Sequence, residues 1–125
     1  MTNDRGTNPK NVNRDLTEEE RNLTRWLLEN AEPEVPTDYL DQLDRASVCG
    51  TCTCGCASFD LKIAGAPPPN GGMHVLGDFL FGDTENLCGI FVFERGGFLA
   101  GVEVTGYAVD APHSLPSPTE LRPYG

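Results

Sequence analysis

Four cysteines fall within eight positions, Cys49, Cys52, Cys54 and Cys56, set among Gly50, Thr51, Thr53 and Gly55. A Cys-x-x-Cys pair followed by two further thiols looks like half of a zinc site, since zinc takes four donors in a tetrahedron with sulfur at about 2.3 Å. A second knuckle would have to come from Cys88, His74 or His113, none of which is paired at knuckle spacing. On a straight strand, positions 52, 54 and 56 project to one face roughly 6 to 7 Å apart, too far to share an ion. The spacing therefore predicts pleated backbone over residues 47–63. The cysteines then serve as small, weakly apolar side chains that pack where a helix crowds the strand, with Gly50 and Gly55 allowing a bulge. Zinc held by Cys49, Cys52, Cys54 and Cys56 is the competing expectation, and thiol redox chemistry at the same residues a third.

Other reactive side chains are sparse. Neither His74 nor His113 has a carboxylate at a diagnostic spacing, and His113 beside Ser114 in a Pro-rich stretch does not make a triad. Asp78, Asp83 and Glu85 could gather at one end of a strand as a cation or acid/base cluster, but a polar turn explains them equally well. The chain lacks a Walker loop, a Rossmann glycine pattern and a metalloprotease His-Glu pair. No catalytic residue and no resident cofactor other than zinc is expected, and a non-enzymatic role is favoured.

The elements that must position these residues can be read from period and punctuation. Residues 1–14 are polar, with Val12 their one substantial interior hydrophobe, and are expected to be a loose tail. Thr17 and Glu20 form a capping box that starts a helix. Its apolar stripe is Leu16, Leu23, Trp26, Leu27 and Ala31, with Glu19, Arg21, Arg25 and Glu29 facing away, and Pro33 ends it. Pro36 and Thr37 open a second short helix with Tyr39, Leu40, Leu43 and Ala46 on its apolar face. So short a connection predicts a helical hairpin. The period then changes to that of strands, expected at 48–54, 58–63, 73–81, 87–94 and 98–104. Short connections favour a meander, with residues 67–72 as an exposed loop tip and Gly96-Gly97 as a tight turn. From about residue 108 the prolines predict an extended surface segment. The expected fold is α+β: the hairpin packed on an antiparallel sheet of four or five strands, in a single domain over 15–125.

Composition narrows the partners. The 125 residues include 19 acidic and 9 basic side chains, a formal charge of -10 that opposes binding to nucleic-acid phosphates. A protein partner with a basic or neutral surface fits better. No apolar run approaches the roughly 20 residues that span a bilayer, and residues 1–10 lack the apolar centre of a secretory signal. A soluble protein of the cytoplasm is expected, where five cysteines do not make a disulfide framework.

Two stretches bear a resemblance to known groups. Residues 52–61, Cys-Thr-Cys-Gly-Cys-Ala-Ser-Phe-Asp-Leu, lie downstream of a short acidic helix and resemble a motif of small uncharacterised bacterial proteins. Residues 97–104, Gly-Phe-Leu-Ala-Gly-Val-Glu-Val, with Leu-Pro-Ser-Pro-Thr-Glu-Leu at 115–121, resemble the closing segments of bacterial toxin-immunity proteins. The resemblance implies a small interaction module, immunity-like, with no catalytic residue to carry over. The sequence expectation is thus a non-enzymatic interaction protein, with a zinc-binding or thiol-redox protein as the alternative.

Overall fold

The computed structural model describes residues 9–68 and 71–124. Along the chain run β1 (Pro9–Asp15), α1 (Glu18–Glu29), α2 (Asp38–Gln42) continued by a 3-10 turn (Leu43–Arg45), β2 (Ala46–Cys52), β3 (Phe59–Ile63), β4 (His74–Phe81), β5 (Cys88–Arg95) and β6 (Phe98–Gly106). A second 3-10 turn (Pro118–Glu120) precedes the two-residue β7 (Arg122–Pro123). The strands form one seven-stranded sheet in the order β1-β2-β3-β6-β5-β4-β7, with every neighbouring pair antiparallel.

The five central strands lie where alternation of side chains predicts them. The sheet nevertheless departs from a plain meander, because β3 pairs with β6 and the chain must cross to reach β4. The count of four or five strands is corrected to seven by the two edges. All but the last residue of β1 falls in the stretch expected to be a loose tail: its backbone pairs with β2 from Pro9↔Cys52 to Asp15↔Ser47, so ladder hydrogen bonds order a segment that has little apolar surface of its own. The remainder of that expected tail, residues 1–8, lies outside the described residues. β7 pairs Phe79↔Pro123 and Leu80↔Arg122, so the Pro-rich segment ends by capping the other edge. Of the expected loop tip at 67–72, Pro69 and Asn70 also lie outside the described residues.

The expected helical hairpin is also corrected. α1 touches α2 but also packs on β4 and β5, and the five-residue α2 packs on β6, so each helix lies on its own part of the sheet. The physical reason is length: five residues make little more than one turn, too short to lie along α1 as the second arm of a hairpin. The capping box is formed, with Glu20 N donating to Thr17 Oγ1 at 3.0 Å and Thr17 N to Glu20 Oε1 at 2.9 Å. α1 contributes Leu23, Leu27 and Leu28 to the core, and Trp26 tilts against Phe79 with ring centroids 5.1 Å apart. They meet Val48, Leu61, Ile90, Val92, Val102 and Val104 of the sheet in one continuous cluster. Gly77 lets the helix come close, since a Cβ there would stand 3.1 Å from both the Leu27 carbonyl and the Ala31 side chain.

Two buried polar side chains stand in for missing ladder partners. Gln42 accepts from Leu99 N at 2.8 Å and donates to Gly97 O at 3.0 Å, which ties α2 to the β5–β6 turn. Ser58 Oγ accepts from Val104 N at 2.8 Å and donates to Val104 O at 3.3 Å, just before β3 begins. Among the described residues no helix is long and apolar enough to cross a membrane.

Candidate metal centre

The ladder between β2 and β3 closes at Thr51↔Phe59, and the residues between must turn the chain around. Gly55 makes this possible with φ at +89°, a left-handed conformation that glycine adopts without a Cβ penalty. Its amide donates to Cys52 O at 3.1 Å and closes a tight turn. The expectation of pleated backbone across residues 47–63 is thus corrected: β2 stops at Cys52, and β3 does not start until Phe59.

The turn changes where the thiols point. The sulfurs of Cys52, Cys54 and Cys56 all lie within 4.8 Å of one another. Two sulfurs held at about 2.3 Å from one ion in tetrahedral geometry stand about 3.8 Å apart, so the observed spread needs about 1 Å of closing, within reach of side-chain rotation. The loop backbone follows the sulfurs, with Cys54 N donating to Cys52 Sγ and Cys56 N to Cys54 Sγ, each at 3.4 Å. Cys56 Sγ donates to Ser58 Oγ at 3.4 Å, so the serine bound to β6 also anchors the last thiol. Cys54 is exposed, and Cys52 and Cys56 are half-buried, which does not fit the expectation of cysteines packed beneath a helix.

Cys49 stands apart from the three. It is the extra residue of a β-bulge between Val48↔Leu61 and Gly50↔Asp60. Its side chain borders an apolar groove of about 530 Å³ with Leu61, Ile63, Pro67, Phe98 and Ala100, and burial, with Asp60 nearby, pushes its thiol pKa up. The fourth cysteine of the expected set is therefore not placed with the others.

The electrostatics within the cluster are uneven. A hydrogen bond to Cys54, helped by burial, holds the proton on Cys52 and pushes its pKa up to about 11. The same bond, with the Cys56 amide, draws the Cys54 thiol below its ordinary range. Amides aimed at sulfur favour the thiolate, the form that binds metal.

Cys52 also borders an open cavity of about 550 Å³ on the sheet face, with Ser58, Asp60, Phe93, Arg95 and Glu103. Burial raises the pKa of Asp60, and burial together with Asp60 raises that of Glu103. Gly101 lets the Phe93 ring pack close against β6, because a Cβ there would stand 2.8 Å from both Phe59 O and Phe93 Cζ.

The other candidates resolve into structural roles. His74 Nδ1 pairs with Glu94 Oε2 at 3.1 Å across β4 and β5. Cys88 is buried and donates to Asn86 O at 3.5 Å. Asp83 Oδ1 accepts from Glu85 N, Asn86 N and Asn86 Nδ2 at 3.1, 2.8 and 3.1 Å, which makes it a turn cap; Asp78 lies within β4 and is not gathered with it. Reading the sequence missed Ser58 and the Asp60–Glu103 pair. Two-residue alternation places Asp60 and Glu103 away from the apolar core on their strands, but their proximity depends on the pairing of β3 with β6. Comparison with protein-family models, with curated proteins and with solved structures finds no match to this chain.

Proposed function

We infer that this chain is a metal-holding module in which Cys52, Cys54 and Cys56 bind one thiophilic d10 ion, zinc first. The observation that carries the reading is the convergence of three sulfurs within 4.8 Å on a turn that contributes little to the core. Thiolate donors select zinc and cuprous ions over magnesium or calcium. The apolar cluster between α1 and the sheet is assembled without the loop, unlike a zinc finger, whose metal supplies its folding energy.

Titration of the reduced chain with Cd(II) tests this. One equivalent should produce thiolate-to-metal absorption in the ultraviolet, and Zn(II) should displace or match it. Chelation should then remove the ion with the far-ultraviolet circular dichroism unchanged. Absence of a saturable absorption at one equivalent sinks the reading.

The interaction reading retains support from one patch. Tyr107 and Tyr124 are 51% and 57% exposed, and burial, then Tyr124, then Asp78 push the Tyr107 pKa up. Exposed aromatics beside a carboxylate suit a protein with a basic or neutral surface. A partner isolated at low salt should dissociate above physiological ionic strength and fail to bind a chain with both tyrosines changed to alanine. Association indifferent to both changes would remove this reading.

A further inference from the structure

Three thiolates leave a tetrahedral zinc one donor short. Three His or Cys side chains outside the cysteine run could supply it, and the fold treats them differently. His74, on β4, pairs through Nδ1 with Glu94 of β5, and Cys88 is buried and bonded to Asn86 O. His113 is brought beside the loop at Gly55, with its ring nitrogens outside the 4.8 Å grouping of the three sulfurs. The extended segment after β6 returns across the sheet end, where Ala57 N donates to Pro112 O at 2.9 Å. That bond ties the residue following Cys56 to the residue preceding His113.

The imidazole then faces the loop across the bare α-carbon of Gly55, the residue between Cys54 and Cys56. Its Cε1 and Nδ1 lie 3.8 and 4.0 Å from the position a Cβ on Gly55 would take. The ring is exposed, so it can turn about its own two torsions toward the sulfurs without displacing any packed group.

We propose that His113 is the fourth ligand of this centre, making it a Cys3His site for zinc; the proposal rests on Cys52, Cys54 and Cys56 being ligands. The metal then staples the β2–β3 turn to the segment that follows β6, two parts of the chain far apart in sequence. Nitrogen in the fourth position also separates this site from a three-coordinate cuprous thiolate, because imidazole and thiolate together in a tetrahedron suit zinc.

Co(II) serves as a spectroscopic probe on the full reduced chain. The wild type should bind one equivalent with sulfur-to-cobalt charge transfer and the visible d–d bands of a tetrahedral ion. His113→Ala should keep the charge transfer but bind at least about tenfold more weakly, with the d–d bands moved to lower energy as water replaces nitrogen. His113→Cys should restore tight tetrahedral binding, and His74→Ala should match the wild type. If His113→Ala titrates with the affinity and spectrum of the wild type, His113 is not a ligand and the three-thiolate site stands alone. If the wild type shows no sulfur-to-cobalt charge transfer, the thiolate reading itself has failed and this proposal falls with it.

Discussion

Serine at Cys52, Cys54 and Cys56 together is expected to weaken zinc and cadmium binding by at least about a thousandfold. Zinc held by protein thiolates and imidazoles has an apparent binding free energy of roughly 10 kcal/mol or more at neutral pH. Losing all three thiolates removes most of it, and a thousandfold is about 4 kcal/mol of that total. The fold should survive. Cys54 is exposed, the other two are half-buried, and none belongs to the core cluster, so the triple variant should lose little in thermal unfolding. Cys49→Ser is the informative control, because Cys49 sits in the β2 bulge outside the cluster and its loss should leave metal content unchanged. Competition with a chromophoric chelator measures the affinities. Tight binding retained by the triple variant would place the metal elsewhere.

Glu20→Ala should cost about 2 to 3 kcal/mol and lower Tm by roughly 10 °C, the largest stability loss expected of any single surface-proximal change. Glu20 is only 9% exposed and works in two directions. It accepts from Thr17 N in the capping box, and it accepts from Arg14 Nη1 and Nη2 at 2.8 and 2.9 Å. The bidentate pair fastens the end of β1 to the start of α1. Arg14 is 41% exposed, which keeps the Coulombic part modest, so the cap and the buried hydrogen bonds carry most of the loss.

The same residue sets a pH dependence. Burial pushes the Glu20 pKa up, but the Arg14 and Thr17 hydrogen bonds together outweigh it and leave it below the ordinary value. The unfolded chain therefore takes up this proton first. The stability Glu20 supplies is complete above about pH 4.3, the unfolded glutamate value, and fades as pH falls through the lower folded value. Asp60 and Glu103 act in the opposite sense: burial raises both, so folding disfavours their charge, and protonation as pH falls from neutrality relieves that cost. Wild type minus Glu20→Gln isolates the first effect, since Asp60 and Glu103 are common to both. Thermal melts from pH 7 to pH 3 should show a gap that is constant at first and then narrows at the acid end. A gap that widens on acidification would contradict the assigned role.

Sequence alone determined the elements whose signals are local. Thr17 and Glu20 start α1, and its stripe of Leu23, Trp26 and Leu27 identifies a face to be buried. Alternation in Phe59, Leu61 and Ile63, and in Phe79 and Phe81, marks strands and their inner side. Side-chain period reports which face is covered because it depends only on the geometry of one segment. It carries no information about neighbours. That β3 lies beside β6, that Pro9–Asp15 forms an edge strand, and that Arg122–Pro123 closes the other edge were decided by pairing between distant segments.

The candidate site follows the same division. The thiols and their spacing are plain in the sequence, but whether they diverge or meet depends on where the β2–β3 ladder ends. That point is set by Gly55 in a left-handed turn, by Ser58 bonded to Val104, and by Ala57 held to Pro112. The last two of these reach across more than a third of the chain, and only the folded molecule brings those atoms together.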